Sequence, residues 1–213
     1  MTSHYSDPDV FIRSMATRGG QGGLSLKSQE VSEVFDAAGF DIIIYETVGV
    51  GQIELDVMQA SDTVVVVLVP ESGDVVQMLK AGLMEIGNIF AINKADRPGA
   101  NKFMTALKNI LTNHNMDGEI WIPQVVNTIA TENKGTKKMY NAIESHQRFI
   151  YKQGIQTQKM DERYKTCIID LITGQYMKSF WNDQNISRLN NELDKEYCKR
   201  ESPYKLVNEL MNL

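Results

Sequence analysis

The chain has 213 residues, of which 42% are hydrophobic and 23% are charged, and its formal net charge is −5. This composition is that of a globular protein, which excludes the disordered and fibrous classes. The acidic balance argues against nucleic acid as a partner, because surfaces that bind nucleic acid are basic.

The first two-thirds of the chain alternate between helical and strand-like hydrophobic patterns. Residues 26–38 predict a helix that ends at Gly39, and residues 41–46 predict a short β-branched strand buried on both faces. The pattern then predicts, in chain order, a helix at 53–60, a strand at 63–69, a helix at 75–87, a strand at 89–93, a helix at 101–114, a strand at 120–127 and a helix at 137–150. This alternation predicts an α/β fold with three layers and a mostly parallel sheet.

The character of the sequence changes after residue 150. A polar stretch is followed by short amphipathic helical patterns, and no strand pattern occurs. We therefore predict a main domain at 1–150 and a helical C-terminal extension at 151–213, which packs on the domain or on a partner subunit.

Ligands of parallel sheets bind beyond the carboxyl ends of the strands, so the loops after the predicted strands are the candidate sites. The strand at 89–93 leads into Asn93-Lys94-Ala95-Asp96, the pattern N-K-x-D. An aspartate in this loop can accept hydrogen bonds from the ring N–H and the exocyclic amine of guanine, while the asparagine braces neighbouring loops. A chance Lys–Asp pair is the alternative, but the position directly after a buried strand favours guanine recognition.

The other strand ends give weaker signals. Glu46 follows the predicted strand at 41–46, and Gly49 comes three residues later, which suits either a magnesium-linked acid near a γ-phosphate or an ordinary turn. The loop at 70–74, before Lys80, suits a nucleotide-sensitive segment, although a solvated connector is favoured. The loop from Thr128 to Gly135 follows the last strand, where a further loop would close over a guanine ring.

Other chemistries find little support. Residues 17–23 are rich in glycine and include Arg18, which suits either a flexible connector or an anion-binding loop, but G-x-x-x-x-G-K-[ST] is absent from all 213 residues. The histidines His4, His114 and His146 are isolated, and two cysteines are too few for a disulfide framework, so we expect a reducing cytoplasm. The apolar run near 64–69 is too short to cross a membrane.

Several long segments, in order and spacing, resemble one family closely: 7–19, 22–25, 37–52, 62–86 and 93–96. It is the methylmalonyl-CoA mutase-associated GTPase family, also called MeaB or ArgK-like and known as lysine/arginine/ornithine transport ATPases. The resemblance covers roughly residues 3–150, and the C-terminal segment resembles the family only in being helical.

The resemblance implies a fold of the P-loop GTPase type and a GTPase that uses GTP/GDP with Mg²⁺. It implies a metallochaperone that assists cofactor loading and protection of a cobalamin-dependent methylmalonyl-CoA mutase. It further implies a homodimer, with the C-terminal helices as a dimerisation arm.

The resemblance also assigns roles by position. Asp96 would read guanine with support from the other residues of the base site, which are Asn93, Lys94, Ile129, Ala130 and Thr131. Glu46 would act at the magnesium and the γ-phosphate, with Gly49 in the second switch. The residues of a partner-sensing switch would be Gln52, Asp74 and Lys80.

The chain departs from the family at three positions and in one whole segment. Ile129 stands where most members have serine, and Gly20 and Gln21 replace a polar residue and a leucine. The family's P-loop and first magnesium aspartates precede the segment at which this chain begins, so we expect an N-terminally incomplete GTPase of marginal solubility. A non-hydrolysing remnant that acts as a partner-binding module is the alternative. A transport-linked ATPase is disfavoured, because N-K-A-D selects guanine.

Overall fold

The computed structural model describes residues 4, 6–15, 27–47, 58–70, 83–114 and 121–211. Within these ranges the strands are β1 (Val65–Leu68), β2 (Ile89–Ile92) and β3 (Gln124–Asn127). The helices are α1 (Ser28–Ala37), α2 (Leu83–Ile86), α3 (Ala100–His114), α4 (Thr136–Lys152), α5 (Ile155–Phe180), α6 (Asp183–Leu193) and α7 (Pro203–Met211). Short 3-10 turns occur at Ala130–Glu132 and Tyr197–Lys199.

The described strands form a parallel sheet in the order β1-β2-β3. Phe90 of β2 pairs with Val66 of β1 on one side and with Val125 of β3 on the other. Helix α3 supplies the crossover from β2 to β3, as parallel neighbours require. The predicted α/β class and parallel pairing are confirmed.

The central strand β2 is buried along its whole length. Phe90 and Ile92 pack in a cluster with Leu107 and Leu111 of α3. Ile89, whose side chain points to the opposite face, packs in a second cluster with Val126 and with Ala142 of α4. Helices α3 and α4 therefore cover opposite faces of the sheet, which gives the three layers that the sequence predicts.

Helix α1 ends as its sequence predicts. Gly39 has a φ of +89°, which favours glycine, and its N–H donates to the carbonyl oxygen of Asp36 at 2.9 Å. The N–H of Phe40 donates to the carbonyl oxygen of Phe35 at 3.1 Å. These two bonds satisfy carbonyl groups of the last helical turn and stop the helix.

The strand predicted at 41–46 is wrong for this structure. Residues 42–47 are irregular, and the side chains of Ile42 and Ile44 are 66% and 84% exposed. A β-branched run becomes a strand only when another strand satisfies its backbone. No described segment pairs with these residues, so their intrinsic preference is not expressed.

The prediction that the helices after residue 150 are short is also wrong for the first of these helices, α5. Helix α5 has 26 residues and includes most of the polar stretch that precedes the predicted short helices. Its first turns are rich in Gln, Lys, Glu and Arg, which are strong helix formers, and neither Gly nor Pro interrupts them. The chain forms two compact units, Met1–Lys159 and Met160–Leu213.

The remaining predicted elements are seen in whole or in part. The last strand begins only at Gln124, directly after Pro123, which cannot donate to a sheet. The helices expected at 53–60 and 75–87 are described only at 58–60 and at Leu83–Ile86. No helix in the described ranges is both long and apolar enough to span a bilayer.

Candidate functional site

The N-K-x-D loop begins at the carboxyl end of β2 with a sharp change of direction. The N–H of Asn93 donates to the carbonyl oxygen of Leu68 at 2.7 Å, so the chain still follows β1 at this point. Lys94 then has a φ of +55°, and its carbonyl oxygen accepts from the N–H of Arg97 at 3.0 Å to close a turn. A positive φ outside glycine costs roughly 1 kcal/mol or more, and such strain concentrates at functional sites.

The side chain of Asn93 joins this loop to the loop that follows β3. Its Oδ1 accepts from the backbone N–H of Ala130 at 3.1 Å and from the hydroxyl of Thr128 at 3.3 Å. The two backbones are also linked, because the N–H of Ala95 donates to the carbonyl oxygen of Thr128 at 3.1 Å. Two loops that follow different strands are thereby fixed against each other.

Asp96 follows Ala95 in the same loop. Its side chain is exposed, and it forms no hydrogen bond or ion pair with any residue that the structure describes. A carboxylate without an internal partner at the carboxyl edge of a parallel sheet is free to accept donors from a ligand.

The loop after β3 closes on itself as a small hairpin. The N–H of Ile129 donates to the carbonyl oxygen of Lys134 at 2.9 Å, and the N–H of Lys134 donates back to Ile129 at 3.1 Å. Asn133 and Gly135 both have positive φ values, of 53° and 82°. The hairpin therefore fixes the backbone of Ile129 internally and leaves the side chains of Thr131 and Lys134 exposed.

The charges at this hairpin are coupled to the N-K-x-D loop. The ammonium of Lys134 forms an ion pair with the carboxylate of Glu132, and that hydrogen bond and charge raise the pKa of Lys134. The negative charge of Asp96 raises the same pKa further. The charge of the N-K-x-D loop therefore acts on a lysine that is distant from it in the sequence.

The structure places the residues expected at the base on two joined loops. The residues Asn93, Lys94, Asp96, Ile129, Ala130 and Thr131 lie on the two loops joined by Asn93. Glu46 is exposed after an irregular segment and forms no hydrogen bond or ion pair with a described residue. The described residues contain no group of three or more His, Cys, Asp or Glu side chains that could hold a metal ion.

Several other expected site residues lie outside the described ranges. They are Gly49, Gln52, Asp74 and Lys80, together with the glycine-rich stretch at 17–23. The ranges that the structure describes therefore cover the expected base site and Glu46, but not the expected switch residues.

Three polar residues of the site carried no role in the sequence analysis. Thr128 is buried and donates a hydrogen bond to Asn93, and Glu132 and Lys134 form an ion pair within the hairpin. In the sequence, the feature that points to this hairpin is Gly135, the glycine that follows Lys134. Gly135 approaches β3 so closely that a Cβ atom there would lie 2.1 Å from the carbonyl oxygen of Asn127.

A cavity of about 720 Å³ lies in the second unit, among the end of α5, α6 and α7. Its lining includes Tyr176, Asn185, Arg188 and Glu209, and none of the expected site residues is among the lining residues.

Comparison with known proteins agrees with this picture. The model of one family, described as methylmalonyl Co-A mutase-associated GTPase MeaB, matches residues 1–185. A protein of Pyrococcus abyssi named as a GTPase is 46% identical over 181 residues, which cover 82% of this chain and 56% of that protein. A protein of Pyrococcus horikoshii, also named as a GTPase, is 42% identical over 202 residues, which cover 91% of this chain and 64% of that protein.

The fold has a solved counterpart in a protein described as a LAO/AO transport system kinase. The two structures align with a TM-score of 0.59 at 22% identity, covering 86% of this chain and 60% of the other. The chain thus spans less than two-thirds of the length of each of these relatives. On the family match and the archaeal relatives, the chain belongs to the methylmalonyl-CoA mutase-associated GTPase family MeaB.

Proposed function

We propose that this chain binds guanine nucleotides and forms part of a GTPase that assists a cobalamin-dependent methylmalonyl-CoA mutase. In this role it would be a metallochaperone that takes part in loading the cofactor and in protecting the mutase. The family description supports a link with the mutase and with GTP. We further propose a cytoplasmic location, which suits the free thiols of Cys167 and Cys198.

The observation that carries the proposal is the carboxylate of Asp96 at the junction of two braced loops. Guanine presents a ring N–H and an exocyclic amine side by side, and one carboxylate accepts from both. Adenine offers no ring N–H at that position, so the same carboxylate would bind it less well. The bracing by Asn93 holds the loop in place before a ligand arrives, which reduces the cost of binding.

The preference for guanine can be tested by comparing nucleotides that differ only in the base. We expect the chain to bind GMP more tightly than AMP in titrations followed by the NMR signals of the ligand. Asp96→Asn replaces an acceptor oxygen by an amide donor, which should weaken GMP and favour xanthosine monophosphate, whose ring carries a carbonyl in place of the amine. Equal binding of GMP and AMP by the unaltered chain would refute guanine recognition.

Hydrolysis of GTP requires more than the base site. The 213 residues contain no G-x-x-x-x-G-K-[ST] motif, so we propose that the phosphates are held by a loop outside this sequence. Mg²⁺ is usually held by one or two carboxylates together with nucleotide phosphates, and the exposed Glu46 suits that place. We propose Gly49 for the second switch, and Gln52, Asp74 and Lys80 for sensing the mutase.

A fusion experiment separates the GTPase from the alternative of a non-hydrolysing binding module. Joining a P-loop segment upstream of residue 1 should produce GTP turnover, and Asp96→Asn in the same fusion should reduce it. If the fusion bound no GTP in calorimetry, we would reject the proposal that this chain forms part of a GTPase. Capture of the mutase by the 213-residue chain alone would then favour the binding module, and a negative result would reject it.

The C-terminal helices support a proposal of homodimerisation. Helix α5 carries large apolar side chains spaced four residues apart, and each is at least 38% exposed: Met160, Tyr164, Ile168, Ile172 and Tyr176. A helix of this length extends about 39 Å, which is long enough for a self-complementary contact across a twofold axis. A second copy of the chain would remove this apolar surface from water.

Sedimentation velocity tests the dimer. We expect the unaltered chain to sediment as a dimer and Ile172→Asp to shift it to a monomer. Ile186→Asp is the matched control, because Ile186 is also exposed but lies on α6. A monomer at all concentrations of the unaltered chain would exclude this role of α5.

A further inference from the structure

The carboxyl edge of β2 and β3 carries a concentration of positive charge. Two segments form this edge: 93–102, which leads from β2 into α3, and 128–138, which leads from β3 into α4. They contain six basic and two acidic residues, although the net charge of the chain is −5. The basic residues are Lys94, Arg97, Lys102, Lys134, Lys137 and Lys138, and the acidic ones are Asp96 and Glu132. We call the surface of these two segments the basic edge.

Contacts between the two segments make the basic edge one continuous surface. The N–H of Ala95 donates to the carbonyl oxygen of Thr128 at 3.1 Å, and the amide of Asn127 donates to Oδ1 of Asn101, in the first turn of α3, at 3.4 Å. Gly135, which precedes α4, lies so close to the backbone of Asn127 that a Cβ atom would overlap with it. The starts of α3 and α4 are therefore both held to the end of β3.

The lysines at these helix starts oppose the electrostatics of the helices. The N–H groups in the first turn of a helix carry partial positive charge, so acidic side chains are favoured there and basic ones are unfavourable. Helices α1 and α6 follow this rule with Glu30 and Asp183. Neither α3 nor α4 has an acidic residue in its first turn; α3 has Lys102 there, and α4 has Lys137 and Lys138. These lysines therefore weaken the helices that carry them.

Contacts within the described part of the chain do not offset this cost. Lys102 and Lys138 are exposed and form no hydrogen bond or ion pair with a residue that the structure describes. The ammonium of Lys137 lies 4.9 Å from the centre of the Tyr140 ring, and Tyr140 is itself 45% exposed. Tyrosine is enriched among the residues that contribute most to protein interfaces. An exposed tyrosine beside unpaired lysines is therefore suited to contact with a protein.

We propose that the basic edge docks the acidic face of a partner protein, with Lys102, Lys137 and Lys138 opposite its carboxylates and Tyr140 in the contact. Charge complementarity favours this partner. A nucleic acid or an anionic membrane would extend beyond the basic edge and meet a chain that is acidic as a whole, whereas a folded partner can confine its carboxylates to the contact. A specific complex needs only about 800 Å² from each partner. This docking does not depend on the proposed guanine recognition.

A charge reversal separates docking from stability. The edge variant, Lys102→Glu with Lys138→Glu, removes the two unpaired cations and places acidic residues where a first helical turn favours them. Its melting midpoint should therefore lie about 2–4 °C above that of the unaltered chain. The matched control, Lys108→Glu with Lys165→Glu, changes the net charge equally at exposed positions away from the helix starts, so its midpoint should stay near the unaltered value.

The probe for docking is a labelled peptide of alternating Glu and Asp, followed by fluorescence anisotropy. Its counterpart of Gln and Asn and a single-stranded RNA of the same length are the comparisons. We expect the unaltered chain to bind the acidic peptide more tightly than either, and less tightly as salt is added. The edge variant should lose about tenfold in affinity for this peptide, and the control less than about twofold.

Three outcomes would overturn the proposal. Equal affinity of the edge variant and the control for the acidic peptide would exclude docking at this edge. Tighter binding of the RNA than of the peptide would exclude an acidic protein as the partner. A lower melting midpoint in the edge variant would show that Lys102 and Lys138 serve stability, which removes the reason to assign them to a partner.

Discussion

The side-chain oxygen of Asn93 lies 3.1 Å from the backbone nitrogen of Ala130 and accepts a hydrogen bond from it. Asn93 follows β2 and Ala130 follows β3, so a single side chain links the ends of two neighbouring strands. A site assembled from separate loops keeps its geometry only if such links hold. The contact therefore connects the stability of the sheet edge to the shape of the candidate base site.

Removing this link should affect both stability and binding. Asn93→Ala loses the hydrogen bonds to Ala130 and Thr128, so we expect the free energy of unfolding to fall by about 1–3 kcal/mol. We also expect weaker GMP binding, because the loops would no longer be held in register. Thr128→Val is the matched variant, since it removes only the longer bond and should cost about 1 kcal/mol or less. Urea unfolding measures the loss of stability, and ligand NMR measures the loss of GMP binding. Equal losses in Asn93→Ala and Thr128→Val would contradict the bracing role of the bond to Ala130.

Gly135 should be essential for the hairpin that follows β3. An alanine Cβ would lie 2.1 Å from the carbonyl oxygen of Asn127, and the φ of +82° is unfavourable for alanine as well. We expect Gly135→Ala to cost more than about 3 kcal/mol, because a backbone atom must move to relieve the overlap. Gly154→Ala is the control. Its φ is +70° and no atom lies near the added methyl group, so only the backbone strain of about 1 kcal/mol should remain. Similar unfolding midpoints for the two variants would show that the overlap has no cost.

The sequence predicts the site best where the signal is local. β2 and the N-K-x-D loop follow one another without a break, so burial, strand and motif can be read together from residues 89–96. The coupling of Lys134 to Asp96 could not be predicted in this way. It depends on the pairing of β2 with β3 and on a hairpin whose closure is set by tertiary contacts.

The same distinction explains the two errors in the fold. Residues 41–46 have the composition of a buried strand, but a strand needs a neighbour, and periodicity does not reveal whether one is present. The start of α5 lies in the polar stretch that precedes the predicted short helices. Its helix-forming residues and its continuity with the apolar turns that follow outweigh that polarity.

His146 should make the first unit sensitive to acid. Its ring is 3% exposed, and its Nδ1 lies 2.8 Å from the hydroxyl of Thr63. Burial, and after it the charge of Lys159, lower the pKa of His146 to about 4, against the opposing charge of Asp62. The unfolded chain, with a pKa of 6.5, binds more protons between those values. Stability should therefore be complete above pH 6.5 and fall as the pH drops to about 4, by a total on the order of 3 kcal/mol.

The measurement compares urea unfolding at pH 7 and pH 5 in the unaltered chain and in His146→Gln. Trp121 is a built-in reporter, because its ring centre lies 4.9 Å from that of His146. Trp181→Phe leaves Trp121 as the remaining tryptophan, since the chain has two. We expect most of the loss of stability between the two pH values to disappear in His146→Gln. An unchanged loss would assign the acid sensitivity to other groups.

Glu192 should make the second unit sensitive to stronger acid. Its carboxylate is 4% exposed and accepts hydrogen bonds from Lys195 at 2.7 Å, from the backbone N–H of Glu201 at 2.7 Å and from Arg188 at 3.0 Å. The bond from Lys195, followed by that from Glu201, lowers the pKa of Glu192 to about 2, against the opposing effect of burial. Because this pKa lies below the unfolded value of 4.5, the stabilisation is present above pH 4.5. It should be lost as the pH falls toward about 2.

Glu192→Gln tests this network while keeping the shape of the side chain. A neutral amide places an N–H group among the donors of Arg188 and Lys195, so we expect a lower thermal midpoint at neutral pH and a flatter response between pH 4.5 and 2. Glu196→Gln is the matched control, because Glu196 is 71% exposed and pairs only with Lys199 in the described chain; both its midpoint and its pH response should stay near those of the unaltered chain. Fluorescence of Trp181 in a Trp121→Phe background follows the second unit. Parallel acid curves for Glu192→Gln and Glu196→Gln would mean that the buried carboxylate does not set this response.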